Sequence, residues 1–232
     1  MLKIEKTVLP SPEQWEIIIE GMRNPMNSWD KMDSEYCDGR NFEECEKWEG
    51  CHMEYCMGEN DHKLMTSLAK GGPVHAKYRR MIPVFLTINA PLYWWKEFDT
   101  YKVGTVANSC STMHKIHAKP FTMNDFSCDH LEDMFLHGLR DTVVLLNNAR
   151  NMYLVALKDE EPLVPAKDCW WQMIQLLPTS YNQKRTVMLN YEVLVNIYHS
   201  RKNHKLDEWH VFCDWIKTLP YSELITGGDK DA

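Results

Sequence analysis

No apolar run in the 232-residue chain approaches the 18 or more residues that a membrane-spanning helix needs; the longest, 81–86 and 142–146, fall far short. The N-terminus alternates polar and apolar residues and lacks the apolar centre and small-residue cleavage site of a secretory leader. A cytoplasmic location, where thiols stay reduced, is therefore expected. Positive charge is also scarce: 26 basic side chains face 33 acidic ones, a formal −7, and such a field repels long DNA or RNA. Neither Gly-x-Gly-x-x-Gly nor a P-loop is present, so the common glycine-rich phosphate cradles are excluded. No Gly/Ser linker or internal repeat divides the chain. What remains is ordinary globular composition, 44% hydrophobic and 25% charged. A chain of this length can bury roughly 70% of its unfolded surface without disulfide or metal.

The eight cysteines include no Cys-x2-Cys pair. Cys37, Cys45, Cys51 and Cys56 are separated by seven, five and four residues, with His52 beside Cys51, and none of these spacings is that of a zinc ribbon or finger. The surrounding stretch, about 30–59, is rich in Asp and Glu and carries turn signals at Asp38-Gly39 and Glu49-Gly50. It reads as a solvated acidic insertion with incidental thiols; a zinc site and a redox pair are the competing readings, and no metal ligand set is assigned. Cys128, Cys169 and Cys213 read as small buried hydrophobes.

Periodicity predicts a strand at Lys3–Val8 and a helix opened by Ser11, with Trp15, Ile18, Ile19 and Met22 on one face. A second helix is expected after a cap at Asn60 or Asp61, ended by Gly71-Gly72-Pro73. A buried strand follows at 81–89, then a short helix after Ala90-Pro91 carrying Trp94, Trp95 and Phe98. Residues 101–117 read as loop or irregular strand. Helices are predicted over 124 to about 157, 168–176, 191–201 and 207–217, the last in the chain, with a short strand at 185–189. Mixed elements without a linker predict an α/β (α+β) fold, a single domain over 1–232.

Two segments concentrate polar chemistry. In the first, Lys102, Thr105, Asn108, Ser109, Ser111 and His114 follow the aromatic run Tyr93-Trp94-Trp95; donors, a cation and flat aromatic surface suit a nucleotide or flavin. A hydrogen-bonded turn over core tryptophans would read alike. In the second, Asn190 stands where a helix N-cap belongs and Arg201 ends the same helix. Eleven residues make about three turns, placing both on one face roughly 16 Å apart. An ordinary cap with an arginine at the C-terminal end of the dipole has the same pattern. His75, after Gly-Gly-Pro-Val, is a further candidate contact.

Read together, these segments resemble the flavin-dependent thymidylate synthases, over roughly 75–215. That family carries Arg-His-Arg-x-x-Ser followed by Asn-Glu-x-Ser-x-Arg, after a strand and a helix beginning at Ala-Pro. Here Thr100-Tyr101-Lys102-Val103-Gly104-Thr105 falls on the signature. Asn108-Ser109-Cys110-Ser111-Thr112-Met113 falls on its continuation, with one extra residue at Val106-Ala107. Leu177-Pro178, Asn190, Asn196 and Arg201 match the C-terminal motif without a gap. The resemblance implies a central, mostly antiparallel sheet flanked by helices. It also implies FAD as cofactor, NADPH and methylenetetrahydrofolate as co-substrates, and a homotetramer with sites at subunit contacts.

By the same resemblance, His75, Lys77, Tyr101, Lys102, Ser109, Asn190, Glu192 and Asn196 contact the flavin. Glu97, Thr100, Ser109, Cys110, Ser111, Thr112, Met113 and Arg201 contact dUMP, and Arg201 stabilises the ionised uracil. The implied reaction is reductive methylation of dUMP at C5 to dTMP, with the hydride supplied by a reduced flavin and no protein nucleophile. The signature arginines are replaced by Thr100 and Lys102 and its histidine by Tyr101. A lysine does not reproduce a bidentate arginine, so His114, Lys115, His117 and Lys119 are expected to supply part of the missing charge. A non-catalytic nucleotide-binding or structural protein of this fold, and C5 modification of another pyrimidine nucleotide, are the alternatives.

Overall fold

The computed structural model describes residues 1–36 and 55–228. Cys37, Cys45, Cys51 and His52, with most of the acidic stretch, lie outside the described residues. The elements are β1 (Lys3–Val8), α1 (Pro12–Arg23), β2 (Glu35–Tyr36), β3 (Tyr55–Cys56), α2 (Glu59–Lys70), β4 (Pro83–Pro91) and α3 (Leu92–Phe98), then β5 (Val106–Ser109), α4 (Asp133–Ala156), α5 (Ala166–Leu176), β6 (Asn182–Asn190), α6 (Tyr191–Arg201), α7 (Asp207–Lys217) and α8 (Glu223–Thr226), with short 3₁₀ turns between some of them. The fold is mixed α/β, as expected. Among the described residues, no helix is long and apolar enough to cross a membrane.

Four strands form one sheet in the order β1-β4-β6-β5, and β2 pairs antiparallel with β3. β4 and β6 run antiparallel: Tyr191 N–H donates to the Ile82 carbonyl at 3.2 Å, and the Thr87 and Thr186 hydroxyls meet at 3.0 Å in the same register. Both strands alternate with a period of two. Ile82, just before β4, and Val84, Leu86, Ile88 and Ala90 of β4 are buried while Phe85 is exposed. In β6 the inward row is Gln183, Arg185, Val187 and Leu189, all buried except the half-buried arginine, with Lys184 and Thr186 facing outward and exposed.

Two compact units are present. The first (1–6, 87–100, 107–186) centres on α4 and α5: Leu139, Val143, Leu146 and Ala149 of α4 pack with Met173 of α5 and with Ile116, Phe121 and Phe126. The second (7–86, 101–106, 187–232) buries Trp15, Ile18 and Ile19 of α1, Met65 of α2, Tyr191, Leu194 and Ile197 of α6, and Trp209, Phe212 and Ile216 of α7.

Local chemistry explains where elements begin. Ser11 caps α1 through a reciprocal box with Gln14. α2 starts earlier than its sequence signal, at an N-cap Gly58 without a side chain to cap it. Asp33 caps it instead, accepting from Asn60 N (2.9 Å) and Asp61 N (3.0 Å). Asp61, expected as a cap, is buried and turned to Arg23, whose Nε donates to it at 2.5 Å; its other oxygen accepts from Ser34 N and Oγ. Likewise, α4 starts at Asp133 rather than near 124. Thr122 and Asp125 close a separate capped turn, and Phe126 then takes an antiparallel bridge with Tyr181. The short α8 follows the helix expected to be last.

Cys169 and Cys213 are buried, Cys128 and Cys56 half-buried, and Cys110 exposed. Burial pushes the Cys213 thiol up to about 11, so at neutral pH it behaves as a small apolar group.

Candidate functional site

In the second unit four of the residues expected at the site, Asn190, Glu192, Asn196 and Arg201, cap or lie on α6. Asn190 is its N-cap: the extended backbone of this residue turns the carboxamide back so that Oδ1 accepts from Val193 N at 3.1 Å. That bond fixes Nδ2 on the side of the 101–106 segment. Gly104 there has φ +79, and a Cβ on it would lie 3.1 Å from both Asn190 Nδ2 and Val193 Cγ2. Glycine is required twice, by the left-handed backbone and by the close approach. Next to it, the Thr105 hydroxyl is buried without a hydrogen-bond partner.

Arg201 closes the same helix. Its Nε donates to Tyr101 Oη at 2.9 Å, and its guanidinium carbon lies 5.6 Å from the Tyr101 ring centre and 5.0 Å from that of Trp209. The two rings meet edge to face at 6.2 Å. An arginine held by one hydroxyl and two aromatic faces keeps its plane fixed. Such a group can stabilise negative charge on a flat ligand without reorganising.

Glu192, one residue into α6, is buried and committed within the unit: Arg79 Nε donates to its carboxylate at 2.8 Å, and Arg79 Nη1 donates to the Leu224 carbonyl at 3.1 Å. Asn196 on α6 and Lys102 in the 101–106 segment are both exposed. His75 and Lys77 are also exposed, the first packed over Gly71 and the second opening the 3₁₀ turn Lys77–Met81.

In the first unit, Glu97 is half-buried on α3 and its carbonyl accepts from the Thr100 hydroxyl at 2.7 Å. Ser109 ends β5, and the chain turns at 110–113. Cys110 N donates to the Lys184 carbonyl at 2.9 Å, and the Cys110 carbonyl accepts from Gln183 Nε2 at 2.9 Å. At the far end the Met113 carbonyl accepts from Trp170 Nε1 at 3.0 Å. Within the turn, Ser111 Oγ accepts from Met113 N (3.3 Å) and His114 N (2.9 Å). Ser109, Cys110, Ser111 and Met113 are exposed and Thr112 half-buried, giving a polar turn pinned at both ends. His114 and Lys115 after it are exposed, while Lys119 is ion-paired with Asp125 at 3.2 Å.

Sequence reasoning missed Trp209, Gln183 and Arg185. Trp209 carries no motif, and only the packing of α7 on α6 brings it to Arg201. The other two had a signal: with β6 read from Asn182, alternation places an arginine in a row of buried apolar residues.

No family model matches the chain, and no curated protein matches it. Its architecture does have counterparts, and the class they define is the fold of flavin-dependent thymidylate synthases. Two solved structures of thymidylate synthase X (ThyX) from Helicobacter pylori, each with FAD and dUMP, are similar to it with TM-scores of 0.59 at 15% and 13% identity. The likeness covers 98% of this chain and 97% and 98% of theirs. At such identity it establishes a shared fold.

Proposed function

We propose that the protein is a thymidylate synthase X-like enzyme, methylating dUMP at C5 to dTMP with FAD as cofactor and with methylenetetrahydrofolate and NADPH as co-substrates. The observation that carries this reading is Arg201, fixed between Tyr101 and Trp209 at the end of a helix whose other end is capped by Asn190. That is the pair of residues expected from the sequence resemblance.

One feature of the second unit supports a flavin nucleotide: the Thr105 hydroxyl is buried with no partner, next to Gly104, whose missing side chain lets the backbone approach Asn190 Nδ2 closely. His75, Lys77, Lys102, Ser109, Asn190 and Asn196 would hold the cofactor, and Tyr101 would line it. Glu192 contributes through its bond to Arg79, which anchors the start of α6. When bound and reduced, FAD supplies the hydride that completes the methyl group.

The chain's own residues do the rest. Arg201 binds the uracil edge and holds negative charge there as C5 becomes nucleophilic. Glu97, Thr100 and the 109–113 turn orient the nucleotide through hydroxyl and backbone groups, with His114 and Lys115 adding positive charge. Cys110 has no assigned nucleophilic role. α4 in the first unit bears exposed Met134, Phe135, Val144, Leu145, Met152 and Val155, a surface suited to the proposed homotetramer.

A non-catalytic nucleotide-binding protein of the same fold is the second reading. It is favoured by the inward commitment of Tyr101 to Arg201 and of Glu192 to Arg79. Reconstitution separates the two. Protein mixed with FAD and freed of excess should keep a flavin absorbance band; protein that stays colourless supports the second reading.

A further inference from the structure

In the first unit Arg185 has a set of contacts that the proposed chemistry does not use. Its side chain is 14% exposed, although it belongs to the inward row of β6. Nε donates to Gln183 Oε1 at 2.9 Å, Nη1 donates to Asp99 Oδ1 at 2.7 Å, and the guanidinium carbon lies 4.3 Å from the centre of the Trp95 ring. Trp95 in turn donates from Nε1 to the Gln183 carbonyl at 2.9 Å. The bond from Arg185 settles which end of the Gln183 carboxamide faces it. With Oε1 held by the guanidinium, Nε2 is the end directed at the Cys110 carbonyl.

A charged side chain in an apolar row costs desolvation, which its ion pair, its hydrogen bond and the face of Trp95 offset. An apolar residue at this position would fill the row at less cost but would leave Gln183 free to turn over. The 110–113 turn would then be pinned at Cys110 only through its amide.

We propose that Arg185 is a positioning residue for nucleotide binding: through Gln183 it holds the 110–113 turn in the shape that offers Ser111 and Thr112 to the ligand. This rests on the reading of that turn as part of the dUMP site. The second nitrogen fork of the guanidinium matters because one side chain must satisfy Gln183 and Asp99 together, which a lysine ammonium cannot do in the same plane.

The test uses the full chain in three forms, wild type, Arg185→Gln and Arg185→Lys, with two readouts. Amide hydrogen exchange without ligand reports the turn, and calorimetric titration with dUMP reports binding. Both variants are expected to raise exchange at Cys110, Met113 and His114 at least tenfold while leaving the β4 amides unchanged, and to weaken dUMP binding at least tenfold. The lysine variant keeps the charge on Trp95 and beside Asp99, so it protects against a simple loss of folding. Restoration by lysine of wild-type exchange and affinity would show that charge alone suffices and would overturn the positioning role. Unchanged exchange at the turn, or unchanged affinity despite a loosened turn, would overturn it as well. Wild-type protein that binds no dUMP overturns the proposed function and the ligand half of this inference, while the exchange data then judge the clamp by themselves.

Discussion

The α6 region of the second unit and the 110–113 turn of the first are built by opposite means. On α6, the helix does the placing: Asn190 and Arg201 are eleven residues apart by sequence and therefore share a face; Asn190 is fixed by the Val193 amide and Arg201 by the Tyr101 hydroxyl and the Trp209 ring. At the turn, nothing local fixes the shape apart from Ser111; the clamps come from Trp170 on α5 and from Gln183 and Lys184 on β6. A helical site is written in spacing. A loop site is written in composition, and its geometry depends on residues elsewhere in the chain.

Loss of the Glu192 carboxylate tests whether α6 is held by its internal ion pair and should change the protein most. Glu192→Ala leaves Arg79 buried and unpaired, and such a break costs about 3–5 kcal/mol. Chemical denaturation should register that loss, and a variant of wild-type stability would show that the carboxylate is free for another role. Next in size, Arg201→Ala removes a charge-assisted contact worth about 1.5–3 kcal/mol, so dUMP affinity should fall about 10- to 100-fold with the fold intact. Equal affinity in the variant would remove Arg201 from the site.

Asn190→Ala deletes the α6 cap and should cost about 0.5–2 kcal/mol in thermal or denaturant unfolding, whereas Asn190→Asp, which keeps the cap acceptor, should lose less. Reversal of that order would mean that Nδ2, not the cap, is what the fold needs.

The smallest effect lies away from both regions and is a pH dependence. Burial pushes the Asp33 carboxyl upward, but the Asn60 and Asp61 amides, the Asp61 side chain and the Arg23 charge together outweigh it and hold the group below its ordinary value. A depressed carboxylate stabilises the fold fully above the unfolded value of about 3.9 and loses that contribution as pH falls through the lower folded value. The acid unfolding profile of Asp33→Asn should be flatter than that of wild type in this window. Parallel profiles would assign the acid sensitivity to other groups.

Much of the fold was legible in the residues. β1, α6 and α7 fall at the bounds expected from the sequence: α7 buries one apolar face, Trp209, Phe212, Cys213 and Ile216, and α6 starts at the Asn190 cap. The errors have one cause, contacts distant in sequence. Asp61 looked like a cap and is instead the buried partner of Arg23, so α2 takes its cap from Asp33. α4 is expected from about 124 on the phase of Leu131, Phe135, Leu139, Val143, Leu146 and Ala149, yet Phe126 pairs with Tyr181 as a strand residue would and the helix starts only at Asp133. In the candidate site, Asn190 could be placed as a cap from spacing alone. The aromatic pair around Arg201 could not, since Trp209 approaches only when α7 folds back on α6.

C5 methylation of dUMP by this protein is read most plainly as tritium release from C5-labelled dUMP. With FAD, NADPH and methylenetetrahydrofolate present, wild-type protein should release tritium to water and Arg201→Ala should release little or none. Flavin-loaded wild-type protein that binds dUMP and releases no tritium would contradict C5 methylation and leave a nucleotide-binding protein without that reaction.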